Sequence, residues 1–87
     1  MLKKEPQSPM RKIKMIWDFR GPNALKIAEH HEIHLKEYIA LKNLDIHLTG
    51  FEALSELHAV AYMVIEEKDV KSLREALKPH RGLVYEL

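Results

Sequence analysis

Residues 58–66, HAVAYMVIE, decide the fold. Ala59, Ala61, Met63 and Ile65 alternate with Val60, Tyr62 and Val64, so an extended chain here is apolar on both faces. Such a strand belongs at the centre of a sheet, covered twice. Upstream, residues 12–19, KIKMIWDF, alternate as well. Ile13, Met15, Trp17 and Phe19 share one face, and Lys12, Lys14, Ile16 and Asp18 share the other. Gly21-Pro22-Asn23 interrupts that strand, with Asn23 placed to cap a helix over 24–42 that contains no Gly or Pro. At 1.5 Å per residue the helix is about 28 Å long. Asn43-Leu44-Asp45 ends it, and 46–54 read as a second strand, bulged at Gly50. Ser55-Glu56-Leu57 form a turn into 58–66. Asp69 then caps a helix over 70–78 with Val70, Leu73, Ala76 and Leu77 inward, stopped by Pro79. Residues 83–87, LVYEL, close the chain as a strand.

The order β-α-β-β-α-β predicts an α+β, ferredoxin-like domain: a four-stranded antiparallel sheet with two helices on one face. It occupies residues 12–87. Residues 1–11, MLKKEPQSPMR, read as a flexible arm, because two prolines among polar and charged residues cannot bury enough surface to order themselves. The second sheet face is expected to be apolar and uncovered in a monomer, which points to a homodimer with sheets packed face to face.

Bulk composition narrows the function. A chain of 87 residues is one small domain, and a second subunit would enlarge its core. The net charge of +1 disfavours a nucleic-acid partner. With no cysteine, thiolate chemistry and Cys-based zinc sites are excluded. No apolar run has the length to cross a membrane, and the lysines near the start precede no apolar signal segment, so a cytoplasmic location is expected. Phosphate-binding Gly-rich loops and serine elbows are absent, and no residue stands out as a covalent nucleophile.

The chemistry concentrates in His30-His31-Glu32-Ile33-His34. Residues three and four apart lie on one side of a helix, so His31 and His34 project to neighbouring points and His30 precedes His34 by one turn. His31 also falls within the apolar stripe Ala24, Ala28, Leu35, Tyr38 and Ile39. An imidazole there is a hydrogen-bonded core residue, a metal ligand or an acid–base group. Glu29, Glu32 and Glu37 stand nearby as oxygen ligands or as acceptors for an imidazole N–H. His47 and His58 fall near opposite ends of paired strands, and His80 near the end of the second helix, where a cation suits the helix dipole. Asp18 offers a carboxylate, with Arg20 as its expected salt-bridge partner.

With the elements placed, the chain resembles the dimeric α/β-barrel superfamily, which includes small monooxygenases and muconolactone-type isomerases. A narrower likeness is to a small nickel-binding family, carried by Ala28-Glu29-His30-His31-Glu32-Ile33-His34-Leu35 and by Ala61-Tyr62-Met63-Val64-Ile65-Glu66-Glu67-Lys68-Asp69. His31 matches that family's helical histidine, and His34 stands where it has an aspartate. Leu77 replaces one later histidine, and His80 is offset by one residue from the other. The resemblance implies a homodimer that binds a divalent transition metal, nickel or zinc, through His31 and His34, completed by His30 or His80 and a carboxylate. Two rival readings remain open. One is a cofactor-free monooxygenase- or isomerase-like enzyme that holds a small-molecule ligand between helices and sheet, with His31 as general base. The other is a structural or regulatory dimer without a site.

Overall fold

A computed structural model of the protein describes residues 11–46 and 48–85. The expected arm of residues 1–11, apart from Arg11, and His47 lie outside the described residues. The elements run β1 (Lys12–Arg20), α1 (Ala24–Lys42), β2 (Leu48–Ser55), β3 (His58–Glu66), α2 (Val70–Leu77) and β4 (Arg81–Tyr85). The strands form one sheet in the order β2-β3-β1-β4, antiparallel throughout. This is the ferredoxin-like α+β arrangement.

Both helices cover the face that carries Ile13, Met15, Trp17 and Phe19 of β1. Met15, Trp17, Met63 and Ile65 meet Leu35 of α1 and Leu73 of α2 in the main core. Truncating a side chain as enclosed as Leu35 to Ala would cost about 2–5 kcal/mol. A second cluster is built from Ala24 and Ala28 of α1 against Ala59 and Ala61 of β3. Four methyl-sized side chains let the first half of α1 approach the sheet closely.

The helix ends obey backbone rather than side-chain capping. Neither Asn23 nor Asp69 makes the expected side-chain cap hydrogen bond. Gly21, at φ 113°, instead accepts the Ala24 N–H and donates its own N–H to Leu57 O at 2.8 Å, tying the first loop to the β2–β3 turn. At its far end α1 closes with Asn43 left-handed, Asn43 N–H on Ala40 O and Leu44 N–H on Ile39 O, a Schellman motif in which Leu44 and Ile39 join the same core. Lys78 ends α2 in the same left-handed region, its N–H on Arg74 O.

Four sequence expectations are corrected. Strand β2 spans Leu48–Ser55 rather than 46–54, and β4 starts at Arg81 rather than 83 because Arg81 and Gly82 pair with Ile16 and Met15, residues 86 and 87 of the expected strand lying outside the described residues. Ala76 is exposed. The irregularity of β2 lies at Ala53/Ser55, beside the turn, and not at Gly50. Gly50 is needed for a different reason: the Tyr62 ring lies across it, and a Cβ there would collide with the phenol oxygen. The ring is held from its other neighbour by Lys14, whose Nζ is 4.2 Å from the ring centroid. The open sheet face is therefore furnished rather than bare, and Ile16, Val60 and Val64 are buried beneath such side chains.

Gly50→Ala is expected to destabilise the domain by about 1–3 kcal/mol, the usual cost of overpacking. In a Tyr62→Ala background the same change should be neutral or stabilising, since only the strand's dislike of glycine remains. Urea denaturation of the four variants in this double-mutant cycle measures both.

Candidate functional site

Two polar centres sit on opposite faces of the sheet at the same end of β1. On the helix side, His31 packs its ring against Trp17 and Phe19, with ring centroids 5.0 and 5.4 Å apart. Phe19 also meets the His80 ring edge-on at 6.4 Å. The Nε2 atom of His31 is buried without a hydrogen-bond partner. Burial pushes the His31 imidazole below its ordinary basicity, and any positive charge on the neighbouring His34 or His80 pushes the same way. Its ring is therefore neutral at physiological pH, with a nitrogen that nothing uses.

The other sequence-predicted histidines are placed differently. Within α1, the 3.6-residue phase carries His34 past the packed stripe into solvent, where Nδ1 lies 3.6 Å from Glu37 Oε1. His30 is exposed. On the other flank of α1, facing β2, Glu32 is buried at 8% exposure; it accepts the Thr49 hydroxyl at 2.8 Å and meets Lys36 at 3.5 Å. His80 is engaged in the sheet: its N–H donates to Ile16 O, and its Nδ1 accepts the Asp18 N–H at 2.8 Å. A neutral His80 ring must then carry its proton on Nε2, the nitrogen a metal would need bare. Among the described residues no three His, Asp or Glu side chains converge to hold one ion.

On the open face, Asp18 is the hub. Arg81 donates to its carboxylate twice, Nε to Oδ2 and Nη2 to Oδ1, each at 3.0 Å. His58 Nε2 lies 2.7 Å from Oδ1. The Arg81 hydrogen bonds hold the Asp18 carboxyl below the usual carboxylate range; burial opposes them, and His58 adds to the lowering. Ionised Asp18 accepts only, so His58 donates from Nε2. The partner expected for Asp18 was Arg20; the structure puts Arg81 and His58 there, both of them cross-strand diagonal neighbours. Asp18 sits opposite Val60 in β3, two residues on from His58, and Ile16 sits opposite Arg81. Strand register was the signal that could have found this network.

A cleft of about 410 Å³ opens between α2 and β4 on the helix side, floored by Ile13, Met15, Val70 and Val84 and lined by Arg74 and His80. Any acid–base reading that requires an imidazole beside a bound small molecule thus meets His80 here rather than His31. Compared with known proteins, the chain matches no family model, no curated protein and no solved structure.

The neutral state of His31 has a measurable consequence. Its folded-state pKa lies below the ordinary 6.5, so as pH falls the unfolded chain takes up this proton first. The associated stability is complete above 6.5 and is lost as pH falls from there toward the folded-state value. In chelator, the urea midpoint of the wild type should drop between pH 7.5 and 5.5 by more than that of His31→Phe, which cannot be protonated and suits the aromatic surroundings. Equal drops would show that His31 is not desolvated.

Proposed function

We propose that this chain is a small homodimeric domain that binds a divalent transition metal, nickel or zinc, with His31 as the anchoring ligand and His34 as the second. The observation that carries this reading is the buried, unpartnered Nε2 of His31. A buried imidazole nitrogen without a hydrogen bond is a lone pair or a proton kept from water at a cost, and a metal ion relieves it. Low basicity helps, because the ion then competes with no proton near neutral pH. His34 stands three residues on along the same helix, held only by an exposed contact with Glu37, and contacts of that kind contribute about 1 kcal/mol or less. Its ring can swing toward His31 at little cost. Water would fill the remaining positions, as the two imidazoles are the ligands α1 brings to one side. His80 stays with the Asp18 N–H, and His30 faces solvent on the helix flank.

The dimer part of the reading rests on the open sheet face. Leu48 of β2 and Leu83 of β4 are 39% and 51% exposed there, flanking the buried Ile16, Val60 and Val64. A two-fold partner would cover both with a matching pair.

Isothermal titration of chelator-stripped protein with nickel and with zinc tests the metal. Saturable binding should weaken at least tenfold, about 1.4 kcal/mol, in His31→Phe and in His34→Ala, while His30→Ala binds like the parent. A His31→Phe variant that folds and binds metal as tightly as the wild type refutes the assignment. Sedimentation equilibrium of wild type and Leu83→Glu tests the dimer, which the charge should dissociate.

A further inference from the structure

The cleft between α2 and β4 contains neither His31 nor His58, and its chemistry is that of a binding site with one polarity. Its volume, about 410 Å³, falls in the range of roughly 300–1,000 Å³ usual for small-molecule sites. The floor is apolar: Ile13 and Met15 project from β1, Val84 from β4 and Val70 from the first turn of α2. Over this floor stands Arg74, one turn on from Val70. Its guanidinium has no ion pair or hydrogen bond among the described residues, whereas Arg81 is committed to Asp18 and Arg11 meets Glu67 at 3.8 Å. His80 lines the same end. Because its Nδ1 accepts the Asp18 N–H, the neutral ring presents Nε2–H, a donor. The competing acceptors at this end are occupied: Leu77 O takes the Trp17 indole N–H at 2.9 Å, and Arg74 O takes the Lys78 N–H. The one carboxylate on the lining, Glu67, lies near Arg11, where its N–H bonds Arg11 O.

We propose that this cleft binds a small apolar monocarboxylic acid, its carboxylate on Arg74 and its hydrocarbon body over Ile13, Met15, Val70 and Val84. A guanidinium beside an apolar floor selects the anion, since forked N–H donors match a carboxylate. An amine of the same length would place its charge against Arg74, with only Glu67, already near Arg11, on the lining to receive it. An alcohol would fill the floor but leave the guanidinium unanswered.

Decanoate, decanol and decylamine are suitable probes, used below their micelle concentrations and in chelator so that metal binding plays no part. Titration followed by ¹H–¹⁵N correlation spectra should show saturable decanoate binding that shifts the Gly82 and Val84 amides. Decanol and decylamine should bind at least tenfold more weakly. Arg74→Gln, at an exposed and unpartnered position, should retain the wild-type melting temperature and lose at least tenfold in decanoate affinity. The proposal is overturned if decanoate fails to saturate, if the shifts fall elsewhere, if either control binds as well, or if Arg74→Gln binds decanoate like the wild type. None of these outcomes bears on nickel or zinc at His31.

Discussion

The ladder between β1 and β4 is finished by a side chain, at the end of β1 where both polar centres lie. Backbone pairing runs from Lys12 opposite Tyr85 to Ile16 opposite Arg81 and then stops, because the chain arriving from α2 has just turned through Lys78 and Pro79. His80 N–H still reaches Ile16 O, but the next donor of β1, the Asp18 N–H, has no strand beside it. The imidazole Nδ1 of His80 stands in for the missing carbonyl. That bond satisfies a backbone group that would otherwise be costly to leave unpaired, on the side of β1 away from β3, whose own ladder with β1 continues to Arg20. Strand alternation sets Trp17 and Phe19 against His31 and the Asp18 side chain on the opposite face, toward Arg81 and His58.

Packing divides the domain into a tight end and a looser one. Where α1 starts, alanine meets alanine across the helix–sheet gap, and the gap closes. Farther along, Leu35, Met15, Met63 and Ile65 fill a deeper core. His31 falls at the change between these regimes, beside two aromatic rings and with one nitrogen sealed from water. The rings of Trp17 and Phe19 on β1 enclose the imidazole there.

Much of the fold was legible because period and punctuation agreed. Strand β3 was read with the bounds it has, since an uninterrupted two-sided apolar alternation ends in Glu66-Glu67-Lys68. Helix α1 was equally plain from a long stretch without Gly or Pro and a terminating Asn43. The start of β4 is hidden, because Arg81-Gly82 looks like a turn by composition and only pairing with β1 makes it a strand. The candidate site was legible in part. Helical phase singles out His31 as the inward imidazole, yet it also groups His34 with it, and a rotation of some 60° around the helix is enough to leave one ring in the core and the other in water. The Asp18–His58–Arg81 network was hidden for a different reason. Its members are distant in sequence and meet through register, while Arg20, the nearer cation, takes no part in it.

Helix α2 is fastened at its extremities and little between. The chain leading into it is held by the Glu67 N–H on Arg11 O, its last carbonyl by the Trp17 indole, and the residue that follows Pro79 by Ile16 O. Leu73 is its one buried side chain. To lift from the sheet such a span must part these hydrogen bonds as well as the packing of Val70, Leu73 and Leu77 on the core. The slot beneath it therefore has a depth fixed by the backbone and a lining that side-chain substitution alone can retune.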